Sequence, residues 1–220
     1  MADIDISELL NRRNDISTFL VHLCKDVNGF TAQQALKSIL SNKPPTIDAS
    51  PAGLYFEDPD LNTDAVSFTE TPLEHIYTFV APIRNKHNEY RKYGLVFSKE
   101  AMRVRGACPI WYINHIQDQG SEVRTALDRL KESLDDEQRT NFGIIAPFLE
   151  VWGKYPKRDF YWEREWRFRG NFIFQLSEVI LGICPEDELN DWETQFQPIK
   201  FIDPVWGVDR IIEKLSRWNR

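Results

Sequence analysis

The chain is poor in cysteine and glycine, and it lacks a long apolar run. Cys24, Cys108 and Cys184 are its three cysteines among 220 residues. They lie far apart with no C-x-x-C spacing, so neither a disulfide frame nor a zinc site is indicated, and they read as small core residues. Ten glycines are present, but no Gly-rich phosphate loop and no G-x-G-x-x-G, which removes the main support for kinase-like and dinucleotide-fold readings. No G-x-S-x-G turn exists to expose a serine nucleophile. The four histidines, His22, His75, His87 and His115, include no i, i+4 pair, so no metal site is expected. Apolar runs fall short of the roughly 20 residues of a membrane span. The opening Met-Ala-Asp-Ile-Asp is acidic, unlike a secretory leader. A cytoplasmic protein without membrane association is therefore expected. A net charge of −7 argues against a broad basic face for nucleic acid and leaves room only for a local groove.

What the chain does have is clear hydrophobic periodicity. Its length suits one domain over residues 1–220, with an N-terminal helix 5–13 and a C-terminal helix 205–218 as flanking elements. Phe19 to Cys24 reads as a buried strand with His22 in its middle. Thr31-x-x-Gln34 has capping-box spacing, and Ala32, Ala35, Leu36, Ile39 and Leu40 form a helical stripe. Residues 43 to 64 read as a long loop with one short strand at Gly53–Phe56. Ala65 to Thr69 is a strand leading into Thr71-Pro72-Leu73-Glu74, where Thr caps a helix reaching Val80. Tyr93 to Phe97 and Ile110 to Ile113 are further strands around a short helix over Lys99–Arg105. Val123, Leu127, Leu130 and Leu134 mark an amphipathic helix between 120 and 139, and Phe142–Trp152 reads as helical too. Tyr161–Phe168 is a strand, Gly170-Asn171 a hairpin turn, and Glu178–Cys184 a buried strand. The expected class is α+β: a mixed, mainly antiparallel sheet with flanking helices.

The segment Asp159 to Phe168 combines more aromatic mass and charge than any other ten residues. As a strand it places Phe160, Trp162, Arg164, Trp166 and Phe168 on a core face, and Tyr161, Glu163, Glu165 and Arg167 on the other. The two carboxylates, about 6.5–7 Å apart at Cα, raise each other's pKa unless a cation such as Arg167 intervenes. The alternative is a half-exposed strand with surface ion pairs worth about 0–1 kcal/mol each. His22 can bind a ribose hydroxyl or act as acid or base, or be a core histidine satisfied by backbone. Ser67 and Thr69 share a strand face and can present two hydroxyls to a cleft, or serve as turn residues.

Several of these segments together resemble a known family. They are Val21-His22-Leu23-Cys24-Lys25-Asp26, Ser67-Phe68-Thr69-Glu70-Thr71-Pro72-Leu73, Tyr93-Gly94-Leu95-Val96-Phe97-Ser98-Lys99, Gly106-Ala107-Cys108-Pro109-Ile110-Trp111-Tyr112 and Trp162-Glu163-Arg164-Glu165-Trp166-Arg167. They resemble the AbiGi-like family of abortive-infection proteins over about residues 18 to 185. That resemblance implies a bacterial phage-defence role as the antitoxin half of a two-gene system, with a nucleotidyltransferase-like toxin as partner.

A more distant likeness is to ADP-ribosyltransferases, which also carry a His on the first core strand, Ser/Thr on a middle strand and a Glu on a late one. It implies NAD as cofactor, with His22 on the nicotinamide ribose, Ser67 and Thr69 in the middle-strand role, and Arg167 among the cofactor-binding residues. Glu165 would be catalytic, with Glu163 preceding it as in Glu-x-Glu members. A carboxylate there would stabilise the oxocarbenium-like centre as nicotinamide leaves. On this view His22, Thr69 and Glu165 are expected to converge on one cleft.

Overall fold

The computed structural model describes residues 16–26, 29–55, 57–80, 92–114, 121–152 and 163–216. The expected helix 5–13, together with His87, His115, Trp162 and Trp218, lies outside them. In chain order the elements are β1 (Phe19–Leu23), α1 (Ala32–Ser41), β2 (Thr46–Ile47), β3 (Ser50–Pro51), β4 (Asp64–Thr69), α2 (Tyr77–Val80), β5 (Gly94–Ser98), α3 (Lys99–Val104), β6 (Cys108–Pro109) and β7 (Trp111–Asn114). They continue with α4 (Ser121–Glu132), α5 (Asp136–Ile145), β8 (Leu149–Trp152), β9 (Glu165–Arg169), β10 (Phe172–Ile173), β11 (Val179–Ile183), α6 (Leu189–Gln195), β12 (Phe201–Ile202) and α7 (Val208–Ser216). The class is α+β, and the strand pairing is mixed but mostly antiparallel.

The chain forms two compact units. The first takes residues 1–45, 69–102 and 174–220, the second 46–68 and 103–173.

The first unit is built on strands in the order β12-β11-β5-β1. Leu95, Val96 and Phe97 of central β5 are all buried, because both faces of the strand are covered and the sequence there is a continuous apolar run. β5 runs antiparallel to β1 and β11, and the short β12 runs parallel to β11. Phe97 packs edge-on against Phe174 at 5.2 Å, and Trp192 stacks on Phe196 at 5.4 Å. The Thr31/Gln34 capping box forms as expected: Thr31 Oγ1 accepts from Gln34 N at 3.2 Å, and Gln34 Oε1 accepts from Thr31 N at 2.9 Å. Thr71 caps nothing. Its hydroxyl pairs with that of Thr69 at 2.8 Å, and Pro72 precedes a single 3-10 turn, Leu73–His75, without a side-chain cap. Cys24 and Cys184 are buried, which pushes the Cys24 thiol up to about 12 and the Cys184 thiol further in the same direction. Both are inert at neutral pH, as small core residues should be.

The second unit packs Tyr55, Leu61, Ile113, Phe142, Ala146 and Leu149 into one cluster, with Leu127 and Leu134 against it. β4 neighbours β9 and pairs with β3, and β9 pairs antiparallel with β6. β7 and β8 form a separate parallel pair. Here the chain departs from its periodicity in four places. The helix expected over 120–139 is two helices, because Asp135 and Gln138 form a capping box that starts α5 afresh. The segment expected to be helical through Trp152 leaves the α-helix at Ile145 and takes a 3-10 turn with Pro147 in it. It then becomes β8, since proline removes the donor a continuing helix needs. The Gly170-Asn171 turn exists, with Gly170 at φ +74°, but β10 pairs with β2 instead of folding back on β9. The strand expected over 161–168 starts at Glu165, because Arg164 has φ +48° and breaks the alternation. Glu163 therefore sits in the turn before β9 and not beside Glu165 on a strand face.

Gly53 is held by close backbone approach. At φ +86°, a β-carbon there would lie 2.6 Å from the Ala146 carbonyl oxygen and 2.8 Å from that of Leu149. Next to it, Leu54 N donates to Leu149 O at 2.6 Å.

Candidate functional site

The site is centred on β9 in the second unit. Strand alternation puts Glu165 and Arg167 on one face, and the face expected to be the exposed one carries the more deeply buried residue. Arg167 is only 4% exposed, whereas Trp166 and Phe168 are half-buried. Arg167 is tolerated there because four of its five N–H donors are engaged. Nε donates to Glu165 Oε1 at 2.7 Å, and Nη2 donates to Glu165 Oε2 at 3.2 Å and to Glu150 Oε2 at 2.7 Å. Nη1 donates to the Pro147 carbonyl at 2.6 Å. Burial by itself would lower the Arg167 pKa, but the Glu165 and then the Glu150 carboxylates more than offset this and hold it above the ordinary value. The guanidinium stays charged.

Glu165 Oε1 also accepts the Ser67 hydroxyl proton at 2.6 Å, which joins β4 to β9 through side chains. Three donor contacts thus converge on a carboxylate that offers about four acceptor positions. Tyr112 of β7 stands close by. Burial first, then the Glu165 and Glu163 carboxylates, push its phenol up against a hydrogen bond with the Glu165 backbone, so it is neutral at physiological pH. The arrangement is an ion-pair network around one buried guanidinium, bidentate towards Glu165, that fastens the 147–150 segment to β9.

Ser67, Glu165 and Arg167 are therefore brought together as side chains in direct contact. His22 and Thr69 belong to the first unit. Thr69 is paired with Val21 across β1 and β4. Directly opposed residues share a sheet face and neighbours along a strand do not, so His22 projects to the face opposite Thr69. Thr69 Oγ1 is engaged locally, with the Thr71 hydroxyl at 2.8 Å and as acceptor of Thr71 N at 3.1 Å. Glu150, the Pro147 carbonyl and Tyr112 were not legible as members of the site. The sequence around Glu150 has helical periodicity, which gave no indication that the residue would face a late strand. Pro147 was the available signal, since it marks where the helix must end.

A family model described as "Putative abortive phage resistance protein AbiGi, antitoxin" matches residues 62–195. The chain belongs to this family. The AbiGi span contains Ser67, Glu150, Glu165 and Arg167, so the whole side-chain network lies inside the family region, whereas His22 and α7 lie outside it. Neither the curated proteins nor the solved structures gave a match. Among the described residues no helix is long and apolar enough to cross a membrane, and no group of His, Cys, Asp and Glu is placed to hold a metal ion.

Proposed function

We propose that this AbiGi-family antitoxin acts by binding a cognate toxin, a nucleotidyltransferase-like protein, and that the Ser67–Glu165–Arg167–Glu150 network shapes the binding fold and does no chemistry of its own. The observation that carries the reading is the family match over residues 62–195. The network supports it, because a carboxylate already engaged by a serine and by both forks of a buried arginine has little capacity left for a reacting group. The net charge of −7 also suits a protein partner better than nucleic acid. The test is co-expression with a nucleotidyltransferase-like toxin, sought among the neighbouring reading frames: growth is restored and the two proteins co-purify. Growth arrest on induction of this chain alone would reverse the assignment of roles.

A second reading is NAD-dependent ADP-ribosyl transfer with His22, Ser67, Thr69, Glu163, Glu165 and Arg167. It is favoured by the Ser67–Glu165 contact and disfavoured by the Val21–Thr69 pairing, which turns His22 away from Thr69. Incubating the pure protein with labelled NAD, cell protein and nucleic acid separates the two. Label transfer that disappears in Glu165→Gln, with melting temperature unchanged, would establish the transferase.

A further inference from the structure

In the second unit a hollow of about 420 Å³ lies between the loop over 57–63 and the first half of α5, lined by Asp60, Asp136, Arg139 and Thr140. Its size is within the range of small-ligand sites, but a lining of charged and hydroxyl groups calls for a small polar ligand. The walls are held in place by other residues. Leu61 is buried in one cluster with Phe142 of α5, and Gly143 lies against the Asn62 backbone, where a β-carbon would be 3.7 Å from Asn62 N. Asp58 Oδ2 accepts from Lys131 Nζ at 2.5 Å, Asp58 Oδ1 from Asp60 N at 3.0 Å, and Asn62 Oδ1 from Asp64 N at 3.1 Å. The Asp135/Gln138 capping box sets the first turn of the helix. The groups that line the hollow are left free by these bonds. Thr140 Oγ1 donates to the Asp136 carbonyl at 2.9 Å, so its oxygen offers only lone pairs. Among the described residues, the side chains of Asp60, Asp136 and Arg139 make no hydrogen bond or ion pair with the protein, although Arg139 is half-buried. Asp58 is held low chiefly by Lys131, and the charge of Arg139 is its smallest influence.

We propose that this hollow binds a free α-amino acid, its ammonium held by the Asp60 and Asp136 carboxylates and the Thr140 oxygen, and its carboxylate by the Arg139 guanidinium. The four groups together select this class of ligand. An ammonium brings three donors to three acceptors, and a carboxylate is the group that matches the planar fork of an arginine. A metal ion would have two carboxylates and a repelling guanidinium, and among the described residues no group is placed to hold one. A phosphate or other simple anion would meet two like charges for one opposite charge. An amine without a carboxylate would leave Arg139 facing it with the same sign. A zwitterion uses both carboxylates and the guanidinium at once. Because the loop and the helix are already fastened to each other, little ordering has to accompany binding. The site is additional to the antitoxin reading and does not rest on it.

The test titrates the full chain with each common amino acid in turn by calorimetry. At least one should bind saturably at 1:1. Its N-acetyl derivative, which has lost the ammonium, and the corresponding amine, which has lost the carboxylate, should each bind at least tenfold more weakly. Asp60→Asn/Asp136→Asn should weaken the amino acid at least tenfold. Arg139→Gln should do the same while binding the amine as well as wild type or better, a split that a general loss of structure would not produce. The unliganded variants should melt close to wild type, since none of the three side chains bonds to the protein. The series of derivatives is read on wild type, so it decides the matter even where a variant does not fold. No binding of any amino acid, equal binding of an amino acid and its N-acetyl derivative, unchanged affinity in both variants, or 1:1 binding of magnesium or calcium in place of amino acids would each overturn the proposal.

Discussion

The Ser67 hydroxyl lies 2.6 Å from Glu165 Oε1 although 98 residues separate the two in sequence. Glu165 in turn holds Arg167, so a surface serine on β4 is coupled through one carboxylate to a buried cation on β9. Removing the carboxylate charge should therefore act on folding first. Glu165→Gln should lose about 2–4 kcal/mol and Ser67→Ala about 1 kcal/mol, with the double variant falling short of the sum because both changes act on one contact. Urea unfolding of the four proteins measures this. Additive losses would show that the two residues are not coupled.

Arg167→Lys should be far from conservative. A lysine ammonium has the charge but not the fork, and cannot reach Glu165, Glu150 and the Pro147 carbonyl together. Two partly buried carboxylates and a carbonyl would lose donors, for a loss on the order of 3–5 kcal/mol. Thermal unfolding is the readout, and a shift no larger than that of an exposed Arg→Lys control would contradict the account.

Gly53→Ala combines two penalties. An L-residue at φ +86° is strained, and its β-carbon would meet the Ala146 carbonyl at 2.6 Å. Together these should destabilise by about 2 kcal/mol or more. Amide exchange at Leu54, whose N–H bonds to Leu149 O, should accelerate before the other slow amides do.

Glu188 should govern part of the acid limb of stability. Burial would raise its pKa, but hydrogen bonds from Trp192, Tyr93 and Gln33, at 2.9, 2.7 and 2.8 Å, and the charge of Lys37 outweigh burial and hold it low. Glu193 and Asp58 are held low as well, Glu193 chiefly by Lys214 against burial and Asp58 chiefly by Lys131. For groups with depressed folded pKa values, the stabilisation is complete above the unfolded value of about 4 and disappears as pH falls through the folded values. Melting temperature should thus drop on acidification below about pH 5, and Glu188→Gln should drop less over that interval while starting lower at pH 7. Parallel curves for the two proteins would exclude Glu188 as a contributor.

The sheet strands were legible where burial on both faces leaves an unbroken apolar run, as at Phe19–Leu23, Gly94–Ser98 and Val179–Ile183. Thr31 and Gln34 were legible because a capping box is local chemistry. The misreadings arose where a local signal competed with a longer-range partner. Asp135 and Gln138 form an equally good capping box, but Leu134 carries the helical stripe of Leu127 and Leu130 right up to it, past the end of α4 at Glu132. At Gly170 the turn chemistry was correct, yet Phe172 pairs with Ile47, a choice that depends on residues more than 120 positions away. In the site, the pairing of Glu165 with Arg167 follows from strand alternation, whereas Glu150 and the Pro147 carbonyl arrive through tertiary packing that no short window contains. Arg164 at φ +48° is the single backbone feature that removes Glu163 from the strand.

The first unit is assembled from three separated stretches of chain, and central β5 receives one of its two neighbours, β11, only from residues 179–183. During synthesis β1 and β5 will therefore have been made about 80 residues before β11 is available to cover the other edge. A nascent chain halted near residue 173 would carry an unpaired apolar strand, a template for association with other unfolded chains. Termination between β5 and β11, before Val179, should thus give aggregates instead of a shortened working protein, and the yield of chain that stays in solution should rise when translation is slowed at low temperature or chaperones are supplied.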